Sequence, residues 1–306
     1  MKEREGIDIV IINYFSVNKI ITLLKSIDSS EFEKGISNII VISNSGESEL
    51  VKLKSIENIC LVENEKNMGF GFACNQSIPY CKNKYLLLLN PDTFLFPNTL
   101  KLSHDFMQKH EDIDVLGIKH INNKGIPSPA FGTFPKFKNF LSDILGLPKI
   151  NRHHFKGILS YEGLRNSESK LTGHVMGAFM MIRQNFIEQY GFMDIRYFVF
   201  LEDVDFCKKV WDKGGKVFYN ADIEIIHEGG ASTDNINAQK LCYFMEGKLK
   251  YAYKHFPKWQ WLILLFMILF VEPFMRIAWG VFTLQLNKIS ETIRGYLLFF
   301  KRRQIK

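Results

Sequence analysis

Tyr85-Leu86-Leu87-Leu88-Leu89-Asn90-Pro91-Asp92-Thr93 is the stretch on which the fold turns. An apolar run without polar alternation reads as a β-strand buried on both faces, as in a parallel sheet covered by helices. The run then stops at a polar turn. Pro91 has no amide hydrogen and biases Asn90 towards an extended backbone, so the Asp92 carboxylate is held at the end of the strand.

The same grammar repeats upstream. Ile7-Asp8-Ile9-Val10-Ile11-Ile12 is a second buried strand, and Ile20, Leu23, Leu24 and Ile27 share one face of a helix from Val17 to about Ser29. Asn38–Ile42 and Ile59–Val62 are further strands, separated by a helix over Glu47–Ser55. After the loop at Asn64–Met68, Gly69-Phe70-Gly71-Phe72-Ala73 opens a helix that carries Asn75. Strand and helix alternate, which is the pattern of an open, mostly parallel α/β sheet. Ligands of such sheets bind outside the carboxyl ends of the strands. Polar residues stand at those ends: Asn13-Tyr14, Ser43-Asn44, Asn67-Met68-Gly69 and Asn90-Pro91-Asp92.

Downstream, residues 122–170 are rich in Pro, Gly, Lys and Phe and read as irregular. Regular patterning returns over Gly173–Arg183. The apolar run Phe198–Leu201 leads into Glu202-Asp203-Val204-Asp205, and a helix from Val204 to Lys213 ends at Gly214-Gly215. Lys216–Tyr219 and Ile223–Ile226 are strand candidates, with His227 after the second.

Composition narrows the class. The 306-residue chain has 46% hydrophobic residues and room for an enzyme-sized core. Its net charge of +7 suits anionic partners such as nucleotide phosphates or acidic lipid headgroups. Basic residues interleaved with aromatics, the mark of nucleic-acid binding, are not seen before residue 250. Five cysteines with no C-x-x-C pair argue against a disulfide framework or structural zinc and for a reducing cytoplasm. Met1–Gly6 lacks the apolar core of a signal peptide. The last quarter changes character. Trp261–Val271 is uninterruptedly apolar, Glu272, Pro273 and Arg276 interrupt it, and Ile277–Leu286 is again mostly apolar. A bilayer span needs about 20 apolar residues. An in-plane or re-entrant helix fits the charges better than a span does, with Trp259, Trp261 and Trp279 at the interface and Lys301-Arg302-Arg303 facing anionic headgroups. Helices packed on the domain or in a dimer interface are the other reading.

Chemistry-bearing residues carry two readings each. Asn90-Pro91-Asp92 is a β-turn, or it presents a carboxylate to a hard divalent ion such as Mg²⁺ or Mn²⁺ bridging to phosphates. Glu202, Asp203 and Asp205 complement a helix dipole, or one of them is a general base against an apolar wall. His227 is structural, the commoner case, or a metal ligand. Asn67-x-Gly69-x-Gly71 at a helix start lets backbone approach a diphosphate. It does not complete G-x-G-x-x-G, because Cys74 stands at the last position, and the chain has no P-loop G-K-[ST] in this region.

Taken in order, Ile9–Tyr14, Ile40–Gly46, Asn67–Asn75, Tyr85–Thr93, Gly173–Arg183 and Tyr190–Ser232 resemble the family 2 inverting glycosyltransferases of GT-A fold, above all the rhamnosyltransferase-like and galactofuranosyltransferase-related subgroup. The resemblance implies an open, mostly parallel Rossmann-like sheet flanked by helices with a C-terminal apolar helical appendage. It implies a GT-A domain over 1–256, split into a nucleotide-binding half (1–120) and an acceptor half (121–256), and the apolar pattern adds membrane-associated helices over 257–306. The implied activity is inverting sugar transfer from a nucleotide-diphosphate donor, dTDP-rhamnose first, to a glycan or lipid-linked glycan. That would serve bacterial cell-surface polysaccharide synthesis at the inner face of the cell membrane. By resemblance, Asp203 is the catalytic base, and Asp92 and His227 hold Mg²⁺ or Mn²⁺. Asn13, Tyr14, Asn44, Asn67, Gly69, Asn75, Asn90, Asp92 and Glu202 lie where the nucleotide sugar is held. A membrane surface is an expected partner, a homo-oligomer is compatible, and nucleic acid is not expected. Two departures stand out. Ser43-Asn44 replaces the Asp-Asn of many relatives, and Asn90 replaces the first acid of D-x-D. The competing readings are a nucleotidyltransferase acting on sugar phosphates and an inactive membrane-associated scaffold of the same fold.

Overall fold

Strands with no polar side to turn outward need cover on both faces, and the computed structural model provides it. It describes residues 5–30, 35–56, 58–151, 154–158, 168–229 and 237–302. Met1–Arg4, the Gly230-Ala231-Ser232 stretch after His227, and Arg303 of the basic tail lie outside the described residues. In chain order the elements are β1 (Ile7–Asn13), α1 (Val17–Asp28), β2 (Ile36–Ser43), α2 (Leu50–Lys54), β3 (Ile59–Glu63), α3 (Phe70–Gln76), β4 (Tyr85–Leu89), β5 (Thr93–Leu95), α4 (Thr99–Lys109) and β6 (Val115–Ile121). Then come β7 (Pro127–Ser128), β8 (Phe131–Gly132), α5 (Phe137–Ile144), α6 (Leu147–Ile150), β9 (Lys170–Leu171), β10 (His174–Val175), β11 (Phe179–Arg183), α7 (Gln184–Tyr190), α8 (Glu202–Asp212) and β12 (Val217–His227). The last helices are α9 (Ala238–His255), α10 (Lys258–Phe266), α11 (Glu272–Phe282) and α12 (Leu286–Arg302); a π-helical turn, Met267–Val271, joins α10 to α11.

The chain forms two units. The first comprises Met1–Thr133, Tyr161–Ile195 and Asp203–Gly229, the second Phe134–Ser160, Arg196–Glu202 and Gly230–Lys306. In the first, the main sheet runs β3-β2-β1-β4-β11-β6-β12-β5. The expected parallel pairing holds for β3, β2, β1 and β4 and again between β6 and β12. β11 enters antiparallel to both β4 and β6, and β5 runs antiparallel to β12. Every residue of β1, β4 and β11 is buried. Ile9, Ile11, Leu87 and Leu89 pack with Ile20, Leu23, Leu24 and Ile27 of α1 in one core. Asp8, charged within an apolar strand, is buried but satisfied. Its carboxylate accepts hydrogen bonds from the Asn38 and Asn83 side chains and from the Lys82 and Asn83 amides.

Two sequence expectations needed revision. The two strand candidates at 216–226 are one strand, β12, whose pairing with β6 shifts register between Asn220 and Glu224. The 122–170 segment, read as irregular, contains α5, whose Phe140 and Ile144 are buried. Pro and Lys around that short helix hid its i, i+4 spacing.

In the second unit the helices enclose charge. Lys248 of α9 places Nζ 3.0 and 2.9 Å from the two Glu272 oxygens, and Arg276 donates to Glu272 Oε1 from Nε at 2.9 Å and Nη2 at 2.7 Å. The Lys248 and Glu272 side chains are each 1% exposed. Burial works against the Glu272 charge, but Lys248 and Arg276 outweigh it and hold the carboxyl below its ordinary range. Gly295 of α12 lets that helix lie close to α9, since a Cβ there would stand 2.9 Å from Leu241 Cδ2.

In the first unit Arg183, at the end of β11, closes the carboxyl end of α4. Its guanidinium donates to the carbonyls of Met107 (2.6 Å), His110 (2.8 Å) and Ile113 (2.6 Å). Arg183→Met keeps the stem but leaves buried carbonyls unpaired. Urea unfolding should show a loss of about 3 kcal/mol, and an unchanged midpoint would refute this account of the α4 terminus.

Candidate active site

The site is assembled at the carboxyl ends of the first unit's strands, where polar residues interrupt apolar runs. At the tip of β1, Asn13 is fully buried. Its Nδ2 donates to Ser43 Oγ (3.0 Å), Ser45 Oγ (3.2 Å) and Glu47 Oε1 (2.8 Å), and its Oδ1 accepts the Ser16 amide (3.0 Å). Asn13 thus ties the β1 and β2 tips together, with its amide already spent inside the protein. Tyr14 follows it, half exposed, its ring edge-on to Phe15 at 4.9 Å.

Asn44 is buried behind the β2 tip. Its Nδ2 donates to Gly69 O (3.3 Å) and its Oδ1 accepts from Asn64 Nδ2 (2.9 Å). Asn64 and Gln76 exchange two amide hydrogen bonds of 2.8 Å, so the β3 loop is fastened to α3. Asn67 Oδ1 accepts the Gly69 amide (2.9 Å), and Gly69, at φ 92° and ψ 161°, is the residue before α3. That backbone conformation is open essentially to glycine alone. Asn75, expected to face the nucleotide, instead exchanges two 2.9 Å hydrogen bonds with the backbone of Met193. Its side chain fixes α3 to the turn after Gly191.

The candidate carboxylates come together through the β4–β11 pairing. Asn90 donates its amide to Ala178 O (3.1 Å), just before β11, and its carbonyl accepts the Thr93 hydroxyl (2.7 Å). One residue earlier, the Gly177 amide donates to Asp203 Oδ2 (3.2 Å), while Asp203 Oδ1 accepts the Val204 amide (2.8 Å). Burial pushes the Asp203 carboxyl above its ordinary range against these amide hydrogen bonds. Glu202 opens α8, is buried, and is counted with the second unit.

On the other side of the Asn90 turn, β5 pairs with β12 so that Thr93 faces His227. His227 Nε2 then lies 3.4 Å from Asp92 Oδ1, with the His227 side chain 9% and the Asp92 side chain 27% exposed. Burial disfavours the Asp92 charge, but the hydrogen bond and charge of His227, with Lys19, prevail and hold its carboxyl below the ordinary range. His120 stands edge-on to His227 at 5.3 Å, and burial, aided by the His227 charge, pushes it down to about 3. An ionised carboxylate beside a ring nitrogen, partly open to solvent, fits a hard divalent ion that keeps waters and substrate phosphates in its shell. Among the described residues no group of three or more His, Cys, Asp and Glu forms a closed metal cage.

Sequence reading missed Glu47, whose carboxylate binds Asn13 and Ser45 Oγ (2.8 Å) at the β2 tip, and Gly177, whose amide meets Asp203. Glu47 follows the polar Ser43–Gly46 turn at once, and that proximity was the available signal. Gly177 depends on a strand direction that local sequence does not encode.

A profile described as glycosyl transferase family 2 matches residues 8–191. The low-salt glycan biosynthesis hexosyltransferase Agl10 of Haloferax volcanii is 24% identical over 207 residues, which cover 66% of this chain and 61% of the relative. The N-acetylglucosaminyl-diphospho-decaprenol L-rhamnosyltransferase of Mycobacterium tuberculosis is 24% identical over 197 residues, covering 60% of this chain and 63% of the relative. The chain thus spans about three fifths of the length of these two relatives. The mannosyltransferase PcManGT from Pyrobaculum calidifontis, solved with GDP-Man and Mn²⁺, superposes with a TM-score of 0.56 at 9% identity, over 99% of this chain and 89% of that one. At that identity the likeness is one of fold.

Gly69→Ala forces a side chain into glycine backbone geometry, at about 1–3 kcal/mol. It should lower the thermal midpoint measured by calorimetry. Native stability in the variant would show that α3 does not depend on this turn.

Proposed function

The chain belongs to glycosyl transferase family 2, and we propose that it is an inverting glycosyltransferase with Asp203 as its base and Asp92 and His227 as its metal ligands. One observation carries the reading. The Asp203–Gly177 and Asn90–Ala178 hydrogen bonds and the Asp92–His227 contact form one continuous series at the carboxyl edge of the sheet. A base and an ion-binding carboxylate are thereby held by neighbouring backbone.

In the proposed transfer the acceptor hydroxyl oxygen bonds to the anomeric carbon as the bond from that carbon to the donor phosphate oxygen breaks. The nucleoside diphosphate departs with the electron pair, and Asp203 takes the hydroxyl proton. The raised Asp203 carboxyl is suited to this, being a stronger base than an exposed aspartate. A divalent ion, Mg²⁺ or Mn²⁺, bound by Asp92 and His227 would neutralise charge on the departing diphosphate. Asn44, Asn67 and Gly69 would present the loop against which the nucleotide lies, and Asn13 and Asn75 would hold that loop in shape.

The donor we would test first is dTDP-rhamnose, and the acceptor a lipid-linked glycan. The support is the relative named for rhamnosyl transfer to a diphospho-decaprenol acceptor. Such an acceptor places the enzyme at the inner face of the cell membrane. The apolar stretch Lys258–Phe282, by length and composition alone long and apolar enough to cross a membrane, supports a membrane placement.

Asp203→Asn should lower turnover by at least about a hundredfold and leave donor affinity in calorimetry unchanged; near-native turnover would remove Asp203 from the base role. Asp92→Ala should abolish the Mn²⁺-dependent part of donor binding, and binding that still responds to Mn²⁺ would exclude the ligand role. The pH profile supplies a third test. A base works unprotonated, so kcat/KM should fall as pH drops through the raised Asp203 value, with its acid limb above the ordinary carboxylate range. An acid limb at or below that range would contradict the assignment.

A further inference from the structure

The helices at the end of the chain have their polarity turned inside out. Along Lys258–Phe282 the buried positions Leu264, Ile268, Glu272 and Gly280 recur at multiples of four and form one stripe. The exposed positions Trp259, Ile263, Phe266, Phe270, Phe274 and Val281 form another, apolar throughout. Beyond the exposed Lys258 at its start, the charge of this segment lies on or beside the buried stripe, where Glu272 is held by Lys248 and the partly exposed Arg276. Pro273 cannot donate an amide hydrogen, and the π-helical turn precedes it. Within that turn the Ile268 carbonyl accepts the Tyr296 hydroxyl at 2.7 Å. Lys248 and Tyr296 therefore fasten this stretch to α9 and α12, at Glu272 and Ile268.

The exposed apolar stripe continues beyond it. Phe282 is 83%, Leu284 86% and Leu286 70% exposed at the corner before α12. Ile293, Leu297 and Phe300 carry the stripe along α12, with exposed Arg294 and Lys301 beside it. Between residues 257 and 302 six basic residues face two acidic ones. Arg276 and Arg302 are engaged with Glu272 and Glu246, and the largely exposed Arg294 stands 3.6 Å from Glu291 at the surface.

We propose that Lys258–Phe282 does not cross the bilayer but lies in its plane, with the exposed stripe of that stretch and of α12 inserted among the acyl chains and Arg294 and Lys301 at anionic headgroups. This deepens the membrane placement proposed above and rests on it. Two features of the molecule argue against a crossing. A span would carry the Lys248–Glu272–Arg276 cluster to mid-membrane, and α9, bound along the buried stripe, would have to enter with it. α9 carries Lys240, Lys248, Lys250, Lys254 and Glu246, which water suits and hydrocarbon does not. Laid flat, the same helices would turn their exposed apolar side chains to the lipid and keep α9 out of the hydrocarbon. A second copy of the chain could cover the stripe, but the basic residues beside it would then face each other, whereas anionic headgroups complement them.

The test uses the full chain with Cys60, the partly exposed cysteine, changed to serine. Purified protein should float with phosphatidylethanolamine–phosphatidylglycerol vesicles. Phe274→Asp with Phe282→Asp should cut binding at least tenfold without moving the thermal midpoint, since both side chains are exposed. Cysteines at Lys254 and Arg294, introduced singly, should react with an impermeant maleimide from the same side of oriented membrane vesicles. Labelling from opposite sides would establish a crossing and overturn the inference while leaving the membrane placement intact. Absence of vesicle binding would overturn both, as would a dimer in solution that the double aspartate variant splits. Binding untouched by that variant would overturn the assignment of the face.

Discussion

The antiparallel pairing of β11 with β4 is the constraint on which the rest of the first unit depends. In a wholly parallel sheet the strand beside β4 would end where β4 ends. Here β11 begins there, so the loop entering it meets the loop leaving β4. That reversal brings Gly177 and Ala178 against Asp203 and Asn90. The same logic acts one turn further on, where β5 reverses against β12 and sets His227 beside Asp92. Backbone hydrogen bonds of the sheet, not long side chains, set the spacing of the carboxylates. Such spacing resists thermal fluctuation because each element is covalently and cooperatively fixed.

What the sequence disclosed follows from how local each signal is. Tyr85–Leu89 and Ile7–Ile12 are apolar at every or nearly every position, and no other element class accommodates that between turn residues, so strands and their polar tips were readable. Asp92, Asp203 and His227 were readable as candidates because each follows an apolar run abruptly. Roles were harder. Asn13, Asn44 and Asn75 look alike in sequence, yet each spends its amide on distant partners, Asn13 at residues 43–47, Asn44 at 64 and 69, and Asn75 at 193. Whether an amide is free for a ligand depends on tertiary neighbours. The backbone before Asp203 was equally hidden. Phe200 and Leu201 adopt φ of 73° and 69°, a conformation costly for bulky residues that no local motif announced.

The second unit shows the limit of reading charge from sequence. Glu272 and Arg276 interrupt an apolar run, and as isolated residues they argue against a span by their cost in hydrocarbon. Folded, they are not isolated, because Lys248 from α9 completes the pair. Truncating one partner would leave the others buried and uncompensated, which is far more damaging than removing the whole cluster. Charges that would be costly at mid-membrane thus fasten α11 to α9, and the apolar surface is left facing out.

Arg183 carries a consequence of another kind, one of timing. The carbonyls at the end of α4 and the free edge of β4 both wait for β11, about 75 residues after α4 leaves the ribosome. Until residues 179–183 emerge, the Tyr85–Leu89 backbone has an unpaired edge next to five apolar side chains, a template for pairing with another chain. The nascent protein is therefore open to misassembly at this edge in the interval between these two segments. Slow translation there lengthens the exposure, and a chaperone that covers one strand edge would suffice to protect it.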